Sequence, residues 1–320
     1  MLRTAFVLGA GLGTRLKTLT ARRPKPLIPV INKPLIAYAF DHLQAHGIER
    51  FVVNTHWQSG VYDREFPEAS YAGAPIAFRD EQPEVLETAG GIKNVQDLIG
   101  DAPFVVYNGD ILSTMPLEEA FRAHVEHENE VTLVLRSKDG PLQVSFDEQT
   151  SRITDISRKL SEASDPRFLF TGIYIVRPEF FARIPSGAKL SVIPLFLEMI
   201  RTGARLGGVV IDEGHWWDLG NREHYLAVHR EIAAGTPILA SRITPLSAPA
   251  PWIAPGAEVS PDAQLVGACA IGAGARIGAG ARLHDTIVWP GAQVAAGSDL
   301  SNCVVTDGAV ASGAHRDSDL

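Results

Sequence analysis

Two cations stand behind a glycine-rich run near the amino terminus. The run is Leu8-Gly9-Ala10-Gly11-Leu12-Gly13-Thr14-Arg15-Leu16, and Pro24-Lys25-Pro26-Leu27 follows it. Residues without bulky side chains let backbone N–H groups approach a polyphosphate. Arg15 can close a two-pronged fork on the same phosphates. Lys25 sits between two prolines, whose fixed φ makes its aim reproducible. The spacing fails the dinucleotide fingerprint G-x-G-x-x-G, because the last glycine would fall at Thr14 or at Leu16. It also fails G-x-x-x-x-G-K-[ST], since no Lys-Ser/Thr pair follows. Glycines after a strand can be a turn and nothing more. The arginine and the proline-flanked lysine lift this run above that reading.

One acidic position could hold a divalent cation. Asn108-Gly109-Asp110 follows the apolar run Phe104–Tyr107, and a carboxylate at a strand's end suits a metal in the crevice there. An Asx-turn is the plainer reading of Asp110. Asp218 stands in Gly214-His215-Trp216-Trp217-Asp218-Leu219-Gly220, where the tryptophans read as packing residues. Leu86-Glu87-Thr88-Ala89-Gly90-Gly91-Ile92 offers small residues against which a planar base can lie, or a helix start with Thr88 as N-cap. His124 and His127 share a helical face but lack a further ligand, so they read as solvated. Cys269 and Cys303 read as packing residues, too few for a disulfide scaffold or a four-thiolate zinc site.

These groups must be positioned by ordered elements, and the composition supports them. The chain has 320 residues, is 45% hydrophobic and carries a formal net charge of −8. A large core is expected, and a nucleic-acid groove is not. No apolar run reaches the roughly 18 residues of a membrane span, so a cytoplasmic protein is expected, with no membrane partner. Phe6–Leu8, Arg50–Asn54, Phe104–Tyr107 and Val131–Leu135 read as buried strands. Amphipathic stretches lie between them, such as 36–46 with Leu35, Ala39, Phe40 and Leu43 apolar. The alternation predicts an α/β fold, a mostly parallel sheet with helices on both faces.

Beyond about residue 250 the pattern changes. Ile253, Val259, Leu265, Ile271, Ile277 and Leu283 recur every six residues, and Val288, Val294 and Leu300 continue after a one-residue slip. Glycines sit near many of them. One inward aliphatic per six residues suits a parallel β-helix, here of about three coils. Three pieces are therefore expected: a catalytic domain over 1–230, a connector over 231–250 with Pro237, Pro245 and Pro249, and a β-helix over 251–320. A short β-helix exposes an aliphatic end, which favours a homo-oligomer.

Taken together, G-x-G-T-R-L with P-K-P-L shortly after it resembles the signature of the sugar-1-phosphate nucleotidyltransferases. The resemblance spans nearly the whole chain. It implies a Rossmann-like mixed sheet followed by a hexapeptide-repeat left-handed β-helix. It implies a nucleoside triphosphate and a sugar 1-phosphate as substrates, with Mg²⁺ on Asp110 and Asp218. Arg15 and Lys25 take the catalytic positions. Leu8, Gly9, Ala10, Gly11, Gly13, Thr14, Glu84, Thr88, Ala89, Gly90, Asn108 and Gly109 fall to the nucleotide. Glu87, Lys159 and Gly172 fall to the sugar phosphate. The chain departs from the family where a Glu-Lys-Pro segment belongs: it reads Arg158-Lys159-Leu160. Mannose-1-phosphate guanylyltransferases and N-acetylmuramate-1-phosphate uridylyltransferases are both similar. A non-catalytic paralogue that binds nucleotide sugars stays open, as does an acyltransferase built on the β-helix around His284.

Overall fold

The computed structural model describes residues 2–11, 13–236 and 250–320. Two compact units make up the chain: Met1–Leu12 with Tyr38–Trp217, and Gly13–Ala37 with Asp218–Leu320. The three connector prolines Pro237, Pro245 and Pro249 lie outside the described residues.

The first unit is built on a 10-stranded mixed sheet. In chain order its strands are β1 (Thr4–Leu8), β2 (Arg50–Thr55), β3 (Ser70–Tyr71), β4 (Ala74–Asp80), β5 (Phe104–Asn108), β6 (Val131–Arg136), β7 (Val144–Asp147), β8 (Arg152–Ile156), β9 (Leu169–Val176) and β10 (Leu206–Val210). Their order across the sheet is β7-β8-β10-β6-β9-β5-β1-β2-β4-β3. The strands from β5 to β4 are parallel, while β9 runs antiparallel to both β5 and β6. All the strands expected from the sequence are present.

Both faces of the parallel strands are buried, which explains their unbroken apolar runs. Phe6, Val52 and Val106 point into one core with Ala89, Ile92 and Phe196 from the helices Glu87–Asn94 and Val192–Arg201. Side chains alternate along a strand, so Phe51 and Tyr107 point the other way. There Phe40 of the helix Leu35–Ala45 meets Phe51 at 4.4 Å between ring centroids, and His42 of the same helix bonds Tyr107. The helix is the one expected around residues 36–46.

In the second unit the hexapeptide pattern forms a parallel β-helix of three four-stranded sheets. Ile253, Ile271, Val288 and Val305 stack in register, as do Val259, Ile277, Val294 and Ala311. Four coils are therefore present where about three were expected. The last coil turns Ala311 and His315 into the stack positions, so its aliphatic signal fades. At the other end Ile253 is 49% exposed. Gly274 and Gly291 turn equivalent corners at φ +67 and +68, where a side chain would be strained. Cys269 and Cys303 are buried, free and packed in the stack.

His124 corrects the sequence reading. It is fully buried and bonds Thr132 Oγ1 through Nδ1, whereas His127 is solvated as expected. The face of the helix Glu118–Glu126 that carries His124 packs on β6, which a period count alone does not reveal. Burial lowers the pKa of His124 to about 4, with Arg177 adding to it. His42 and His229 are lowered to about 4 by burial as well. In the unfolded chain each takes a proton near pH 6.5. Their contribution to stability is whole above that pH and drains away as pH falls toward 4, by about 3 kcal/mol per histidine. The melting temperature should drop across that window, and less steeply for His124→Gln. A melting temperature that stays flat from pH 6.5 to 4 would overturn the assignment.

Candidate active site

The glycine run leaves the carboxyl end of β1, where the first unit ties it down. Gly9 N–H donates to Asn54 Oδ1 at 2.8 Å, and Tyr62 Oη donates to the Gly9 carbonyl at 2.9 Å. A Cβ on Gly9 would lie 2.5 Å from the Asn54 carbonyl oxygen, so only glycine fits. Gly11 differs: it is exposed, with nothing within 4 Å of where a Cβ would be. Leu8 is half-buried and Ala10 buried.

Asn54 does a second job. Its Nδ2 donates to Glu81 Oε1 at 2.7 Å, and Leu86 N–H donates to Glu81 Oε2 at 2.8 Å. Glu81 is 1% exposed. Burial raises its pKa, and the bonds from Asn54 and Leu86 act against that rise. Asn54 thus couples the glycine run to the segment that opens at Leu86. Glu81 was not among the expected site residues; it stands among polar neighbours just after β4, between Asp80 and Gln82, and nothing in the sequence marks it as buried.

In that second segment the small residues serve packing. Ala89 and Gly90 N–H groups donate to the Leu190 carbonyl at 2.8 and 3.1 Å. A Cβ on Gly90 would lie 2.2 Å from the Ala188 carbonyl oxygen. Thr88 does not cap the helix, which begins at Glu87 with Leu86 as its N-cap residue. The Thr88 hydroxyl instead accepts from Val192 N–H at 2.8 Å. Glu87 is exposed in the left-handed region at φ +61, and Glu84 pairs at the surface with Lys189.

Asn108 ends β5 and lies over Gly172, whose φ of +80 and missing side chain make the room. Gly109 N–H donates to the Leu8 carbonyl at 3.0 Å, which lays the turn against the end of β1. Asp110 follows in that turn, half-buried. Trp216 is buried and donates from Nε1 to the Thr171 carbonyl at 2.9 Å, as a packing residue should. Trp217 stacks on His215, their centroids 5.2 Å apart.

Lys159 is exposed on a loop wound around Asp155. The Asp155 carboxylate accepts N–H groups of Ile156, Lys159, Leu160 and Ser161 and the Ser164 hydroxyl. Burial pushes its pKa up, but these donors win and hold it below the usual carboxylate range. The segment that departs from the family signature is thus ordered by an aspartate that carried no sequence signal.

The second unit gathers the cations. Gly13 turns at φ +61, and its carbonyl accepts from the Thr20 hydroxyl at 3.0 Å. Thr14 and Arg15 are exposed at the head of the turn Thr14–Thr20. Lys25 is 6% exposed in a tight turn closed by Leu27 N–H on the Pro24 carbonyl. Its Nζ lies 3.5 Å from Asp218 Oδ1. A Cβ on Gly220 would be 2.9 Å from both Asp218 oxygens and 3.0 Å from Arg15 Nη2. Arg15, Lys25 and Asp218 therefore converge around Gly220, an arrangement that can bind an anion or a cation–anion pair.

Among the described residues no group of three or more His, Cys, Asp or Glu could hold a metal by itself. The donors to hand are single carboxylates. That set suits Mg²⁺, which takes one or two carboxylates and completes its shell with phosphate oxygens and water.

Asn54→Ala should destabilise the chain by about 3 kcal/mol, because Gly9 N–H and the buried Glu81 each lose a partner. Urea denaturation reads this directly. A loss below about 1 kcal/mol would show that water replaces the amide.

A model of the nucleotidyl transferase family matches residues 4–235. The chain is 32% identical over 216 residues to an N-acetylmuramate alpha-1-phosphate uridylyltransferase from Neisseria meningitidis, covering 68% of this chain and 92% of that one. It is 30% identical over 236 residues to a mannose-1-phosphate guanylyltransferase from Mycobacterium tuberculosis, covering 72% of this chain but only 65% of that one. HddC from Yersinia pseudotuberculosis superposes with a TM-score of 0.59 at 20% identity, over 71% of this chain and 97% of that one. The inositol-1-phosphate CTP transferase from T. maritima superposes at 0.60 and 19%, over 70% and 91%. Those two likenesses speak to the fold alone. With the family model matched from β1 to the end of the helix Arg222–Ala233, the chain belongs to the nucleotidyl transferase family.

Proposed function

We propose that the protein transfers a nucleotidyl group from a nucleoside triphosphate to a sugar 1-phosphate. The observation that carries this is the convergence of Arg15, Lys25 and Asp218 around Gly220. The signature residues Arg15 and Lys25 meet there, and the relatives bearing on substrate are sugar-1-phosphate nucleotidyltransferases by name.

In the reaction an oxygen of the sugar phosphate forms a bond to the α-phosphorus. The bond from that phosphorus to the bridging oxygen of the β-phosphate breaks, and pyrophosphate leaves. A phosphate monoester has its second pKa near 6, so the attacking oxygen is anionic at neutral pH. No general base is then required. The barrier lies in bringing anions together in line. Arg15 and Lys25 lower it by offsetting charge, and the burial of Lys25 in its tight turn means that little reorganisation is needed there. Asp110 and Asp218 are the carboxylates that would hold Mg²⁺, which would supply further neutralisation of phosphate charge.

From the first unit, Leu8, Gly9, Ala10, Gly11, Glu84, Thr88, Ala89, Gly90, Asn108 and Gly109 are assigned to the nucleotide, and Glu87, Lys159 and Gly172 to the sugar phosphate. From the second, Gly13 and Thr14 join Arg15 and Lys25. For the substrate pair, the relatives favour GTP with mannose 1-phosphate or UTP with N-acetylmuramate 1-phosphate.

The test is pyrophosphate release with Mg²⁺ over a panel of triphosphates and sugar 1-phosphates. Release should occur with one of those pairs. Lys25→Ala should cut turnover by about 10²- to 10³-fold, the scale of removing one preorganised charge-stabilising donor. Near-normal turnover in that variant would overturn Lys25's role. No release with any pair, alongside binding of a nucleotide sugar, would favour the non-catalytic paralogue.

A further inference from the structure

Arg23 sits two residues before Lys25 and reaches across to the β-helix. Its Nε donates to Asp307 Oδ2 at 2.8 Å and its Nη2 to Asp307 Oδ1 at 3.2 Å. The same guanidinium donates from Nη1 to the Leu27 carbonyl at 3.2 Å. Leu27 closes the turn that carries Lys25, so Arg23 braces that turn from its near side to its far side. Asp307 stands at the corner between the strands Val304–Val305 and Val310–Ala311 of the last coil. The side chains are only 11% and 26% exposed, which strengthens a two-pronged ion pair relative to a surface one.

The next residues are tied down too. Tyr225 Oη donates to the Pro29 carbonyl at 2.6 Å and accepts from Trp289 Nε1 of the β-helix at 2.9 Å. Ile31 N–H donates to His229 Nε2 at 3.2 Å, and Asn32 Nδ2 donates to the Trp252 carbonyl. Of these contacts, the Arg23 fork is the one that spans the Lys25 turn itself. Asp307 also lies outside residues 4–235, where the family model matches.

We propose that Arg23 and Asp307 are positioning residues for Lys25, so that the β-helix fixes the aim of a phosphate-binding lysine. The inference rests on Lys25 serving the transfer. A lysine misplaced by about 1 Å can cost up to about 100-fold in rate. The brace should therefore act on turnover more than on substrate affinity.

The experiment is a double-mutant cycle on the full chain, read as pyrophosphate release. Asp307→Asn keeps shape and removes the charge. It should lower kcat about tenfold with KM within about threefold, the signature of an interaction felt at the transition state. Asp307→Glu should recover part of the loss. In a Lys25→Ala background Asp307→Asn should add almost nothing, because it acts through the missing ammonium. If Asp307→Asn prevents folding, Arg23→Lys supplies the same cycle from the other side, losing the fork but keeping the charge. The proposal is overturned if Lys25→Ala is impaired but Asp307→Asn and Arg23→Lys are not. It is equally overturned if they lower kcat by the same factor with and without Lys25. Normal turnover in Lys25→Ala alone would instead remove the reading on which it stands.

Discussion

A nearly buried ammonium needs a countercharge, and much of the second unit can be understood from that requirement. Lys25 is 6% exposed, and the Asp218 carboxylate lies 3.5 Å from its Nζ. Removing water from an ammonium costs several kcal/mol unless a partner and hydrogen bonds replace it. The two residues come from distant parts of the sequence, so the signature segment and the segment opening at Asp218 must fold as one body. The glycine at 220 follows from the crowding this creates, and the one at 13 from its φ of +61 and the nearby Thr20 methyl as well as Lys25. A Cβ on Gly13 would press on Lys25 Cβ at 3.1 Å, and one on Gly220 would press on Asp218 and Arg15. Small residues here preserve the room that the charged groups occupy.

In the first unit an amide takes the part that the ion pair plays in the second. Asn54 both accepts from Gly9 and donates to Glu81, so one side chain joins the end of β1 to the start of the helix Glu87–Asn94. A charged residue could not do both, since a carboxylate only accepts and an ammonium only donates. The amide also lets Glu81 be buried beside Gly91, where a Cβ would lie 2.9 Å from each of the two side chains. Gly9, Gly90 and Gly91 are thus required by protein packing, while Gly11 is not, and only the last has space around it.

This separation marks the limit of what the sequence discloses. Strands with apolar residues on both faces stand out as unbroken runs, and the hexapeptide repeat stands out by its period; both were legible. Arg15, Lys25 and Asp218 could be picked out by residue type, but their convergence could not. The antiparallel β9 beside β5 was hidden, because a buried strand reads alike in either direction. Glycines required by a neighbouring chain segment look the same in sequence as glycines that face a ligand. His124 is the simplest case. Its spacing from His127 places both on one helical face, yet the helix turns only the first onto β6, and the partner Thr132 lies on a different element. Asp155 is similar, since its ligands are backbone N–H groups that any residue types could supply.

The fading of the repeat in the last coil has a physical counterpart. In a stack of coils each coil is held by its neighbours, and the fourth leans on the third. Here that coil also presents Ala311 and His315 where earlier coils present aliphatics, so its own apolar contribution is weak. Arginines from outside the stack compensate. Arg222 bonds Asp319, Arg230 bonds Asn302 and Arg23 bonds Asp307. Two of these come from the helix Arg222–Ala233 and one from the signature segment. Of the three, Arg23 is the one that ties the coil to the Lys25 turn, because the same guanidinium bonds the Leu27 carbonyl.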